Sequence, residues 1–116
     1  MSNYNPDRWA IIEIDNPADD RKTTEKVYKV FGGWYGGYAY GDSWRMNSGI
    51  TKIVKDGEYF HFHGYTGSVY TCHKDSYGMS SIMSAVYMSS LEKANLENVG
   101  FRSLTEEEAK EYINES

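Results

Sequence analysis

Cysteine is almost missing from this chain: Cys72 stands alone in 116 residues. One thiol excludes an intrachain disulfide framework and suits a reducing compartment. Proline occurs only twice, and there is no Pro-rich linker, internal repeat or long low-complexity segment. No apolar run approaches the roughly 20 residues that span a bilayer. The opening residues Met1 to Arg8 lack the charged-then-apolar pattern of a secretory signal. The expectation is a cytoplasmic protein with no membrane partner. Basic charge is also short, with 12 Lys and Arg against 17 Asp and Glu, a net charge of −5 and a pI near 5.1. No basic stripe of the kind that holds duplex nucleic acid is visible.

What the chain does have is tyrosine and glycine, 11 of each. They concentrate between Phe31 and Gly49, where the first fourteen positions hold six aromatics and five glycines. Glycine lets the backbone bend and approach a neighbour closely. Tyrosine and tryptophan offer stiff contact area with a polar handle. Two readings follow. The stretch is a binding surface, or it is a glycine-weakened strand whose aromatics cover backbone and fill core.

The elements around it follow from periodicity. Residues 8–14 are β-branched and apolar on both faces, as in an inner strand that ends before Asn16-Pro17 and the loop chemistry of Asp19-Asp20-Arg21. Residues 24–31 read as a second strand. A strand resumes at Trp44 and runs to about Val54, with a bulge expected at Asn47-Ser48-Gly49. Asp56-Gly57 is a hairpin signal of type I′, which pairs Lys55 with Glu58 and Ile53 with Phe60. Strands at 58–63 and 68–73 complete a three-stranded antiparallel meander through Gly64-Tyr65-Thr66-Gly67. With a second loop of two or four residues, Phe62 and Val69 join Ile53 and Phe60 on the core face. The opposite face then carries Lys52, Tyr59, His61, His63, Tyr70 and Cys72, with His73 turned away from them. A three-residue loop flips the last strand.

From residue 77 to 94 the period becomes helical: Met79, Ile82, Met83, Val86, Tyr87 and Leu91 share a stripe, with Asp75 or Ser76 as the cap. Residues 99–104 add a short strand or extended segment. Thr105-Glu-Glu-Glu108 is a capping box that opens a short helix to about Ile113, with Leu104 and Ala109 placed for a hydrophobic staple. The predicted fold is α+β, one domain over residues 1–116. It has a mainly antiparallel sheet of about five strands against one main helix, and a short C-terminal helix.

Catalytic motifs do not assemble. Gly41-Asp-Ser-Trp44 shares three residues with the GDSL hydrolase signature and departs at the fourth, and no Asp-x-x-His follows near the C-terminus. There is no Gly-x-Ser-x-Gly elbow, phosphate loop or RNA-recognition octamer. His61 and His63 share a strand face, but a zinc site needs a third ligand, so they read as surface or ligand-contacting residues. No metal and no cofactor is expected. The candidate binding residues are Trp34, Tyr35, Tyr38, Asp42, Ser43, Trp44, Arg45 and Asn47, with Tyr59, His61 and His63 adjacent. Aromatic planes stack a base, Arg45 or Lys52 meets a phosphate, and glycine amides form an anion nest.

Gly32-Gly-Trp-Tyr-Gly-Gly37, Gly41-Asp-Ser-Trp-Arg45, Asn47-Ser-Gly-Ile50 and Gly67-Ser-Val-Tyr70 make this chain resemble small accessory proteins of tailed bacteriophages. The resemblance covers less than half of the chain. It implies action in the cytoplasm of an infected bacterium, most often by binding a host component, and brings no catalytic residues. Three functions are therefore carried forward. The first is a non-enzymatic protein that binds and inhibits a host protein. The second is a protein that sequesters a small anionic or nucleotide ligand, as some phage anti-defence proteins do. The third is a small enzyme using His61 or His63. A homo-oligomer is compatible with each.

Overall fold

The computed structural model describes residues 2–15, 26–36 and 41–116. The Asn16-Pro17 stop, the loop after it and Tyr38 lie outside the described residues. The elements in chain order are β1 (Asn3–Tyr4), β2 (Arg8–Asp15), β3 (Val27–Trp34), β4 (Ser43–Met46), β5 (Ile50–Asp56), β6 (Tyr59–Gly64) and β7 (Val69–His73). Helix α1 (Ser81–Leu96), β8 (Gly100–Ser103) and helix α2 (Glu106–Asn114) follow. The class is α+β as expected, but the strands divide into two four-stranded sheets, β4-β3-β2-β8 and β1-β7-β6-β5. The expected sheet of about five strands is thus corrected to eight strands in two layers among the described residues.

The first sheet is covered on both sides, and β2 shows why. Its run Trp9-Ala-Ile-Ile12 is buried throughout, because its two faces serve two cores. Trp9 and Ile11 meet Phe62, Tyr70 and Cys72 of the second sheet, together with Leu104 and with Ala109 and Ile113 of α2. Ile12 turns the other way, to Phe31 and Met83 beneath α1. An apolar strand without alternation belongs in such a middle layer. The layers therefore run α1, first sheet, second sheet, with α2 packed into the core between the two sheets.

Helix α1 starts later than its periodicity suggests. Its cap is Ser80, whose hydroxyl accepts from the Met83 amide at 3.4 Å, so neither Asp75 nor Ser76 fills that role. Gly33 lies directly beneath: a Cβ there would sit 2.5 Å from the Met83 sulfur. The glycine admits the helix to the sheet. At α2 the capping box is present, with Thr105 bonded to the Glu108 amide at 3.1 Å and the Glu108 carboxylate bonded back to the Thr105 amide at 3.0 Å.

The meander β5-β6-β7 is present with a different register. Gly57 has φ +59 and is the first central residue of its turn, between the closing pair Asp56 and Tyr59. A positive φ at that position alone follows the type II′ pattern, not type I′. Lys55 therefore faces Phe60 and Ile53 faces Phe62, in place of the expected Lys55–Glu58 and Ile53–Phe60 pairs. The displacement is two residues, so side chains keep their faces. In the second turn, the Gly64 amide bonds the Ser68 carbonyl at 2.9 Å across a three-residue loop. That flips β7. Tyr70 and Cys72 turn into the core with Phe60 and Phe62, while Thr71, His73 and Val69, itself buried, share the opposite face with Tyr59, His61 and His63.

The expected bulge at Asn47-Ser48-Gly49 is instead a crossing, where the chain leaves the first sheet after Met46 and enters the second at Ile50. The only residue of the crossing with positive φ is Gly49, at +135, and a Cβ on it would press on the Tyr65 ring.

Candidate functional site

The Gly-rich aromatic stretch forms the paired strands β3 and β4. Phe31 faces Met46, Gly32 faces Arg45, Gly33 faces Trp44, and Trp34 faces Ser43. Alternation sends Trp44 and Met46 to the α1 side and Ser43 and Arg45 to the other. Among the described residues, β4 pairs only with β3, on one of its two edges. Trp44 is 45% exposed and meets Phe31 edge-on, ring centroids 5.8 Å apart. Beside β4, Tyr35 is 57% exposed.

Arg45 is exposed, and its guanidinium carbon lies 4.7 Å from the centre of the Tyr4 ring. That ring packs on Tyr70 at 5.0 Å and meets Trp34 edge-on at 6.2 Å. The planar cation is thus held over an aromatic face, with its backbone opposite a glycine that presents no side chain. Burial pushes the Tyr70 phenol up to about 12, so this support is a neutral ring.

The N-terminal segment fixes the base of the site. The Asp7 amide bonds the Gly33 carbonyl at 2.9 Å. The Asp7 carboxylate accepts from the Tyr35 amide at 2.8 Å, and the Trp34 indole N–H donates to the Asn5 carbonyl at 3.0 Å. Asp42 accepts from the Gly36 amide at 3.3 Å. Tyr4, Asn5 and Asp7 were not among the sequence candidates. Their only signal was an aromatic and a carboxylate on either side of Pro6, too short a pattern to read.

Four candidates are displaced from this group. Asn47 is 4% exposed; its side-chain oxygen accepts from the Val30 amide at 2.8 Å, while its own amide bonds the Val30 carbonyl at 2.9 Å. It extends the ladder at the crossing, so its role is structural. Tyr59, His61 and His63 lie on the outward face of the second sheet, turned away from the core that β4 borders. His61 contacts Asp56 at 3.1 Å through Nε2 and the Thr71 hydroxyl at 2.9 Å through Nδ1. A carboxylate only accepts, so Nε2–H is the donor there. His73 shares this face, against expectation, with Nε2 3.3 Å from Glu58.

Cys72 faces inward and is not beside the histidines. Burial pushes its thiol far above the ordinary range, which removes it as a nucleophile or ligand. Among the described residues, no group of three or more His, Cys, Asp or Glu side chains is arranged to hold a metal ion, and no helix is long and apolar enough to cross a membrane. The arrangement at β4 offers contact area, a held cation and an open backbone edge. Comparison of the chain with protein-family models, curated protein sequences and solved structures gives no match.

Proposed function

We propose that this is a non-enzymatic binding protein of the phage accessory type, which engages and inhibits a host protein through the open edge of β4. The observation that carries this reading is the exposure of Ser43, Trp44 and Arg45 on a strand that, among the described residues, pairs on one side only. An open edge offers main-chain hydrogen bonds to an extended segment of a partner. Tryptophan, tyrosine and arginine are the side chains that most often dominate such interfaces. Arg45 enters binding already ordered by Tyr4, which lowers the entropy lost on association.

The test is capture from bacterial lysate, identification of the captured protein, and reconstitution with that protein purified. Trp44→Ala and Arg45→Ala are each expected to weaken binding by about 2 kcal/mol or more, with folding cooperativity intact. Full binding by both variants would overturn the assignment.

A further inference from the structure

A cleft of about 200 Å³ opens between β6, the segment after β7 and α2. Trp9, Phe60 and Tyr77 form its aromatic walls, and Ala109 and Ile113 of α2 close it. The polar atoms of those aromatics are already engaged. The Trp9 indole N–H donates to the His73 carbonyl at 2.7 Å. The Tyr77 hydroxyl donates to the Leu104 carbonyl at 2.7 Å and accepts from the Ile11 amide at 3.1 Å. The interior thus offers an occupant ring faces and methyl groups, with no free hydrogen-bonding group on its aromatic walls. A sugar or a phosphate would lose its hydration there without replacement.

The mouth differs. Lys74, Lys110 and Glu106 stand around it, two ammonium groups against one carboxylate in a chain of net charge −5. Glu106 meets Lys110 at 3.8 Å, and among the described residues no carboxylate pairs with Lys74. Lys74 is thus the ammonium group of the mouth that has no carboxylate partner among the described residues.

The geometry points to a binding site for a small amphipathic anion: a single-ring or similarly compact apolar body within the cleft, and a carboxylate at the mouth facing Lys74. Size supports this, since a dry apolar cavity of about 150 Å³ accepts benzene. Ala109 is the smallest side chain of the lining. At the same helical position a leucine would fill the space against Trp9 and Phe60. The site involves none of the β4 residues, so it stands or falls independently of the protein-binding reading.

The probe is phenylacetate, with 2-phenylacetamide and acetate as controls, followed by amide NMR on the full chain. Phenylacetate is expected to give saturable shifts at Phe60, Lys74, Tyr77, Ala109 and Ile113, with a half-point below about 10 mM, as befits so small a ligand. Acetate, without the ring, should give none. The neutral amide should bind about two- to fivefold more weakly, the scale of one exposed charge contact. Lys74→Gln should bring acid and amide to equal affinity, and Ala109→Leu should abolish both. Trp44→Ala should change neither. The absence of saturable shifts, or shifts centred elsewhere, would overturn the site. Equal binding of acid and amide by the unaltered protein would overturn the anion. Should Ala109→Leu lose its dispersed spectrum, the shift map and the Lys74→Gln comparison still decide.

Discussion

The strands β3 and β4 are hydrogen-bonded neighbours drawn from one Gly-rich aromatic stretch, and they meet opposite fates. In β3, Val30, Phe31, Gly32 and Gly33 are buried; in β4, Ser43, Trp44 and Arg45 are exposed. Composition does not separate them, since each carries a tryptophan and both adjoin glycines. Coverage does. The strand β3 lies between β2 and β4 and has a helix above it and the second sheet below, whereas β4 is an edge among the described residues. The glycines divide in the same way. Gly33 is where Met83 rests, and Gly41 has φ +64 with nothing within 4 Å of its missing side chain. One glycine provides space and the other a positive φ. The core reading therefore holds for the β3 half, while the β4 half is exposed.

The sharpest test of that division sets two tryptophans against each other. Trp9, fully enclosed between the sheets, should cost about 3–5 kcal/mol of folding stability when changed to alanine. Trp44→Ala loses mainly an edge-on contact with Phe31 and should cost about 0.5–1.5 kcal/mol. Denaturant midpoints decide, and equal losses would erase the distinction between core and surface.

A smaller effect tests the packing role of Gly33. Gly33→Ala drives a methyl into Met83 and should destabilise by about 1–3 kcal/mol. In a Met83→Ala background the same change should cost clearly less, because the obstructing sulfur is gone. An unchanged cost would mean that the glycine is required for another reason.

The smallest effect lies far from both strands, at the edge formed by β8 and α2. Hydrogen bonds from Arg102, then from the Thr105 amide, hold the Glu108 carboxyl down at about 2 from its ordinary 4.5. The folded state thus binds that proton less readily than the unfolded chain. The resulting stabilisation is full above about 4.5 and fades as pH falls towards about 2. Glu108→Gln should flatten the pH dependence of the denaturant midpoint in that window and leave its slope above pH 5 unchanged. An unaltered acid limb would show that the pair contributes nothing measurable.

Much of the local structure was legible in the chain. The two-faced apolar run at Trp9–Ile12 identified an inner strand, helical spacing identified α1, and Thr105 with Glu108 marked the start of α2. Each rests on contacts within a few residues, which a linear pattern records. The meander was legible too, but its register was not. Asp56-Gly57 suits either of two turns, and they differ in whether glycine is the second or first central residue. The candidate site was half legible. Trp44, Arg45 and Tyr35 are each exposed, Trp44 and Arg45 on opposite faces of β4, while Asn47 is buried and His61 and His63 face elsewhere.

By itself, then, the sequence determined the α+β class, the order of most elements, the caps and the location of the aromatic-rich region. Those follow from period, propensity and short-range hydrogen bonding, all properties of adjacent residues. Only the tertiary structure decided that the strands form two sheets, that Tyr70 and Cys72 face inward, and that Tyr4 supports Arg45. Each of those depends on pairing between segments far apart in the chain. A change of one residue in a loop, such as three residues within the Gly64–Ser68 pair in place of two, reverses every side chain of the strand that follows.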